Sequence, residues 1–459
     1  MDGLGGRRAG PGRMTPEVHY AKIGDGHVAY QVFGSGGLDL VYVGEFWHSI
    51  EAQWDEPRSA AFFRRLGSFA RVICLDQRGS GMSDPLPLGE RPSLDAAVDD
   101  VRAVMDATGV SRAAVLGVAG GGLIASLLAA TTPERVQALV LLNATSRVTI
   151  APDYPWGTTP AFEERMMADL ANGWGRGALA DIVAPSETDN PAFRIWLARY
   201  QRLGASPGQV LAQRRLIQGV DIRQVLPAIH TQTLVIHRRD NRLLNAGHGR
   251  YLAAHIPGAE YVEVPGADSM AFLGDSEAIL EPIERFLTGG LAPADQPRVL
   301  ATVLFTDVVG STGHVARLGD RAWRGILEAH HSMVLGELER HRGRPLDRAG
   351  DGFVALFDGP ARAVRCALAI QARVRELGLE LRAGVHTGEV ELVGAEIEGV
   401  AVHIGARVAA LAVPGEVLVT STVRDLVAGA GIVFTDRGTR ALRGVPGRWK
   451  LSAATLPPE

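Results

Sequence analysis

Through the first 288 residues, short apolar runs alternate with longer amphipathic stretches, the pattern of parallel strands joined by crossover helices. The runs predict strands over 28–33, 38–43, 71–75, 113–118, 138–142, 233–237 and 261–263. Ser93 caps a helix that runs to Thr108, where Gly109 stops it. Residues 113–130 are long and apolar enough to raise a membrane span. However, Gly120, Gly121 and Gly122 divide a β-branched half from a Leu- and Ala-rich half, so a strand, tight turn and buried helix fit better. Between 146 and 226 the strand signal vanishes and amphipathic segments carry Trp156, Trp174 and Trp196, which predicts a helical cap over about 147–226. An amphipathic helix over 276–287 closes this half. Gly, Pro and small residues over 289–297 read as a linker. From Arg298 the pattern restarts as an α+β unit of mixed pairing: strand 299–306, helix 319–341, hairpin 345–357, helix 360–377, strand 379–386, helix 399–411 and strand 416–420.

The 459 residues exceed one ordinary domain and predict two or three. A composition of 46% hydrophobic and 21% charged residues is that of a globular protein with ample core. A net charge of −4 gives no basic footprint for nucleic acid. Cys74 and Cys366 lie in separate apolar segments, which predicts a reducing, cytoplasmic setting without a disulfide framework. The Gly- and Arg-rich start lacks the apolar core of a signal peptide, and residues 1–16 are expected to be disordered.

Candidate chemistry concentrates in the second half. Asp307 ends an apolar strand within Phe305-Thr306-Asp307-Val308-Val309-Gly310-Ser311-Thr312, and Asp351 sits in Ala349-Gly350-Asp351-Gly352-Phe353. Two carboxylates leaving strands beside glycine suit hard divalent cations, which take oxygen ligands. A pair of such metals can bind both the attacking and the leaving oxygen of an in-line displacement at phosphorus.

Residues 298–455 resemble the class III nucleotide cyclase catalytic domain, a ferredoxin-like α+β fold. The resemblance implies cyclisation of a nucleoside triphosphate with release of pyrophosphate, two divalent ions (Mg²⁺ or Mn²⁺) on Asp307 and Asp351, and a head-to-tail homodimer with composite sites. It implies that Val308, Val309, Gly310, Ser311 and Thr312 turn backbone N–H groups toward the phosphates. Arg407 matches the transition-state arginine. His403, four residues earlier on the same helix face, matches the ribose-orienting position that is usually asparagine. The base-reading positions hold Asp347 and Glu396. Glu396 can accept from the adenine amino group, whereas ionised Asp347 suits guanine better. ATP is the expected substrate, with GTP the alternative. Arg443 is a further candidate for a triphosphate contact, a solvated turn being its plainer reading.

Residues 17–288 resemble the α/β-hydrolase fold, a mostly parallel sheet with a helical cap. The family's nucleophile turn, G-x-S-x-G, reads Gly117-Val118-Ala119-Gly120-Gly121, so alanine stands at the nucleophile position. The acid position aligns with Asn241, or with Asp240 after a one-residue slip, and the histidine position holds Ser269. Without nucleophile and base, acyl transfer by this route is not expected, which leaves an esterase or lipase as the lesser reading. A pocket for a small apolar ligand and an inert scaffold both remain open. The two-domain order resembles actinobacterial class III cyclases that carry such a domain.

Overall fold

The computed structural model describes residues 15–86, 93–289, 298–349, 352–393 and 396–457. The first unit runs β1 (Val18–Ile23), β2 (Gly26–Phe33), β3 (Asp39–Val43), α1 (Pro57–Phe69), β4 (Arg71–Leu75), α2 (Leu94–Ala107), β5 (Ala113–Val118), α3 (Gly121–Thr131) and β6 (Val136–Leu142). Cap helices α4 (Pro160–Gly173), α5 (Ala180–Val183), α6 (Pro191–Gly204) and α7 (Pro207–Gly219) follow, then β7 (Thr233–Arg238), α8 (Ala246–His255), β8 (Glu260–Val264) and α9 (Glu277–Thr288). The sheet order is β1-β2-β4-β3-β5-β6-β7-β8, parallel from β4 onward, with β1 and β2 antiparallel at one edge. Every residue of β5 and α3 is buried, because the sheet is covered on both faces. Glycine sets that packing: a Cβ on Gly121 would meet the Val43 carbonyl oxygen at 2.1 Å. No helix among the described residues is long and apolar enough to cross a membrane.

Of the expected disordered start, residues 1–14 lie outside the described residues. The Gln31 side-chain amide donates to the Pro16 carbonyl at 2.9 Å, so the chain is held from Pro16 and enters β1 directly. β1 is missed by pattern because half of it faces solvent.

The second unit runs β9 (Arg298–Val308), α10 (Ser311–Leu318), α11 (Asp320–Arg340), β10 (Arg344–Ala349), β11 (Gly352–Phe357), α12 (Pro360–Val374), β12 (Leu381–Val393), β13 (Glu396–Glu398) and α13 (Val400–Leu411). It ends with β14 (Val417–Thr420), α14 (Ser421–Leu426), β15 (Val433–Ala441) and β16 (Arg448–Thr455). The sheet order is β10-β11-β9-β12-β14-β16-β15, with β13 paired to β12. The predicted linker lies outside the described residues beyond Gly289.

Strand period places the chemistry. Leu304 and Val308 pack into the core beneath α11 and α12. Val299 and Ala301 pack with Ala401 of α13, and Val303 and Phe305 meet Gly405 of the same helix. Asp307 continues that odd-numbered row, so it belongs to the face that α13 covers. The first unit docks on the opposite side, where Leu300 and Leu426 join its core. Polar contacts tie α2 to the start of α12: the Asp95 carboxylate accepts from Ala361 N at 2.9 Å, Asp99 takes Arg342 at 3.0 Å and also Arg362, and Arg102 pairs with Asp358. Buried ion pairs of this kind fix an orientation more than they add stability.

Candidate functional site

Asp307 lies across from Arg382 in the β9–β12 register. Arg382 Nε and Nη2 donate to Asp307 Oδ2 at 2.8 and 2.5 Å, while Oδ1 has no protein partner among the described residues. The two side chains are 37% and 40% exposed, so one carboxylate oxygen faces an open approach. A hard cation needs such an oxygen. Arg382 was not singled out by sequence, since only strand register brings it to Asp307. Asp351 lies outside the described residues; β11 begins at the next residue, and Phe353 pairs with Thr306 beside Asp307.

The segment expected to turn its amides toward phosphates is corrected in part. Val308 is buried core, and Val309 N donates to the Glu380 carbonyl at 2.9 Å, so neither amide is positioned as expected. Gly310 takes a left-handed φ of 67° ahead of α10, and the donors left to an anion are those of Gly310, Ser311 and Thr312 at the helix start.

α13 buries Ala401, Ile404, Gly405, Val408 and Ala409 against the sheet. His403 and Arg407 therefore point outward and are exposed. No hydrogen bond or ion pair joins either to Asp307 among the described residues. Arg443 is exposed in the turn between β15 and β16, several strands from β9, and is not brought to Asp307 within the chain. The backbone puts Asp347 in register with Val354 and through it Phe305, and Glu396 opposite Val393 on the β12–β13 pair. His386 and Thr387 support the sheet, bonding Thr420 and Thr302 at 2.9 and 2.8 Å, and burial pushes the His386 pKa down to about 3.

In the first unit, Ala119 adopts φ 48°, a left-handed conformation that a residue with a Cβ rarely holds. The strained turn that presents a nucleophile thus persists with only a methyl group on it. Ser269 Oγ donates to Asn241 Oδ1 at 2.9 Å, and the same oxygen accepts from Leu243 N and Leu244 N at 3.0 Å each. Asp240, the alternative acid position, is exposed, whereas Asn241 is the residue bonded to Ser269. Beneath the cap, a mostly apolar pocket, partly open to solvent, is lined by Ala119, Ser269, Trp47, Phe63, Tyr200 and Phe272 among others. One lining residue went unanticipated: Glu45, after β3, accepts from Gly120 N at 3.0 Å, and burial raises its pKa.

Residues 46–276, half of the chain, match the alpha/beta hydrolase fold family, and residues 295–455 match the adenylate and guanylate cyclase catalytic domain family. The putative adenylate cyclase 3 of Rhizobium meliloti is 32% identical over 158 residues, which are 32% of this chain and 27% of that protein. The chain thus spans about a quarter of that relative's length. The pimeloyl-[acyl-carrier protein] methyl ester esterase of Nitrosomonas europaea is 30% identical over 215 residues, 45% of this chain and 84% of that protein. A bromoperoxidase structure from Bacillus anthracis aligns with TM-score 0.50 and 21% identity over 59% of this chain and 100% of its own, a likeness of fold.

Proposed function

We propose that this chain, which belongs to the α/β-hydrolase fold family and carries a class III nucleotide cyclase catalytic domain behind it, converts ATP to 3′,5′-cyclic AMP and pyrophosphate at a site shared by two copies. In this reading the N-terminal domain binds a ligand without hydrolysing it and regulates the cyclase. The observation that carries the reading is the placement of Asp307 on the α13-covered face of the second sheet, away from the first domain, with His403 and Arg407 exposed on the outside of α13.

An exposed arginine with no hydrogen bond or ion pair to Asp307 among the described residues is suited to a site completed by another copy. Val400, Leu411 and Val413, at 57%, 44% and 57% exposure, supply apolar surface beside it. Asp307 and Asp351 would hold Mg²⁺ or Mn²⁺, and such ions lower the pKa of a bound hydroxyl and offset phosphate charge. The protein's own part follows from side-chain chemistry. Arg382 orients the Asp307 carboxylate. The amides of Gly310, Ser311 and Thr312 receive phosphate oxygens. Arg407 offsets charge developing on the α-phosphate as the 3′-hydroxyl attacks and pyrophosphate departs, and His403 orients the ribose. Glu396 favours adenine and Asp347 guanine, and the name of the Rhizobium relative supports ATP. In the first domain, Ala119 has no nucleophilic atom and Ser269 cannot act as the base, which leaves a pocket for a small apolar ligand.

The test is Mn²⁺-supported cyclic nucleotide production from ATP and from GTP, with Asp307→Ala and Arg407→Ala measured alone and mixed. Each variant alone should be inactive, and an equal mixture should regain roughly a quarter of the wild-type rate, since half the dimers then carry one intact site. Wild-type activity in either variant alone, or a mixture no more active than the separate variants, refutes the shared site. Turnover of GTP in preference to ATP refutes the adenylate reading.

A further inference from the structure

We propose that the pocket above Ala119 takes an organic cation, a protonated amine on an apolar body, through the carboxylate of Glu45. The inference rests on the reading of this domain as a binding module and names the ligand class. In an α/β-hydrolase, the N–H of the residue after the nucleophile and one from the loop after the third strand point at a substrate carbonyl oxygen. Here the first of these is Gly120 N, which donates to Glu45 Oε1 at 3.0 Å, and the Phe46 N–H also favours the charge of the same carboxylate. The donors that would receive an ester or acid oxygen are therefore engaged by the chain's own anion. What the pocket offers at that point is an acceptor.

That exchange inverts the selectivity. An ester brings only acceptors to Glu45, and a fatty acid brings a second negative charge. An ammonium group brings three donors. Glu45 has no cation within ion-pair distance among the described residues. Arg214 is the guanidinium lining the adjoining space, and it is held by Glu163 at 2.5 and 3.0 Å, both side chains being buried. Asp76, buried below, accepts from Ile50 N and Met82 N at 3.0 and 2.9 Å, with His48 Nδ1 3.6 Å away. Arg214 also favours the charged form of Glu45 but is already paired with Glu163, and Glu45 is the one carboxylate among the residues lining the first pocket, which include no lysine or arginine. Rings of Trp47, Phe63, Tyr200 and Phe272 line it and suit both a cation and an apolar body. At Glu45, Trp47, Val183 and Leu243 it adjoins a second, smaller space with an apolar lining.

The second space also touches the route to the cyclase. Gln213, Arg214 and Ile217 of α7 line it, while Leu216 and Gly219 of the same helix rest on Gly429 and Ala428 after α14. An occupant that displaces α7 bears on that turn of the cyclase domain.

The experiment is calorimetric titration of the full chain with octylamine, octanoate and methyl octanoate, which share a chain and differ in head group, alongside cyclase rates. Octylamine should bind and the other two should not. Glu45→Gln, isosteric and uncharged, should weaken octylamine roughly 10- to 100-fold. Glu45→Ala, which frees both N–H groups, should turn the preference toward octanoate and its ester, with melting curves confirming that both variants fold. No binding of octylamine, equal binding of octanoate or the ester to the unaltered chain, or no effect of Glu45→Gln overturns the inference while leaving the cyclase reading intact. Octylamine binding with an unresponsive cyclase supports the cation site and refutes regulation alone.

Discussion

Replacing Gly405 with alanine probes how the sheet and the outward face of α13 are linked. A Cβ there would lie 2.7 Å from Val303 Cγ2 and 3.0 and 3.1 Å from two Phe305 ring carbons. Carbon atoms rest at about 3.5–4.0 Å, so α13 must lift by roughly 1 Å or those side chains must retreat. Two stability effects oppose each other: alanine gains about 1 kcal/mol of helix propensity over glycine, and overpacking costs about 1–3 kcal/mol. The net loss is therefore modest, about 0–2 kcal/mol, and the melting temperature should move by a few degrees at most. Activity should respond far more, because His403 and Arg407 flank Gly405 on the same helix, and about 1 Å of misplacement costs about 10²-fold in rate. The expected result is a 10- to 100-fold fall in kcat, on that same scale, with KM for the nucleotide nearly unchanged. Adding Val303→Ala removes the closest contact and should recover much of the rate relative to Val303→Ala alone. Wild-type kcat in Gly405→Ala, or a loss that Val303→Ala leaves untouched, refutes the reasoning.

Arg407→Ala should lower turnover about 10²- to 10³-fold and His403→Ala about 10-fold with little change in KM; steady-state kinetics with unchanged kcat would remove the role of either. Burial at the domain interface pushes the Asp95 pKa up to about 6 from 3.8, so its stability contribution is full below about 4 and is lost as pH rises through 6. Asp95→Asn should therefore melt higher than wild type at pH 7.5, by of the order of 1–3 kcal/mol, and converge with it only below about pH 4; a constant offset across pH would count against it. Rebuilding the hydrolase side chains with Ala119→Ser, Asn241→Asp and Ser269→His should still give almost no p-nitrophenyl ester hydrolysis. Adding Glu45→Ala should raise it at least about 10²-fold, and full activity of the triple variant would show that Glu45 does not block the amides.

Much of this architecture is written in periodicity. The β-branched and Leu/Ala halves around Gly120 became β5 and α3, and the tryptophan-bearing segments became the cap. Strand β15 escaped because almost all of it is exposed and polar, so it carries no alternation to read. Ala119, Asn241 and Ser269 were legible as residues out of type in a known turn pattern, and Asp307, His403 and Arg407 by their places in the motifs of the second unit. Glu45 and Arg382 were not, because nothing local marks a glutamate after one strand or an arginine at the start of another.

Sequence alone determined which segments fold, that two units follow one another, and which side chains stand at the first unit's nucleophile, acid and histidine positions. The tertiary structure decided what meets what: Glu45 at the Gly120 amide, Arg382 on Asp307, the Val309 amide bonded to Glu380, and the first domain on the sheet face away from Asp307. The division has a physical cause. Burial repeats every two or 3.6 residues and leaves its mark in nearby composition, whereas strand register and domain docking join residues far apart in the chain.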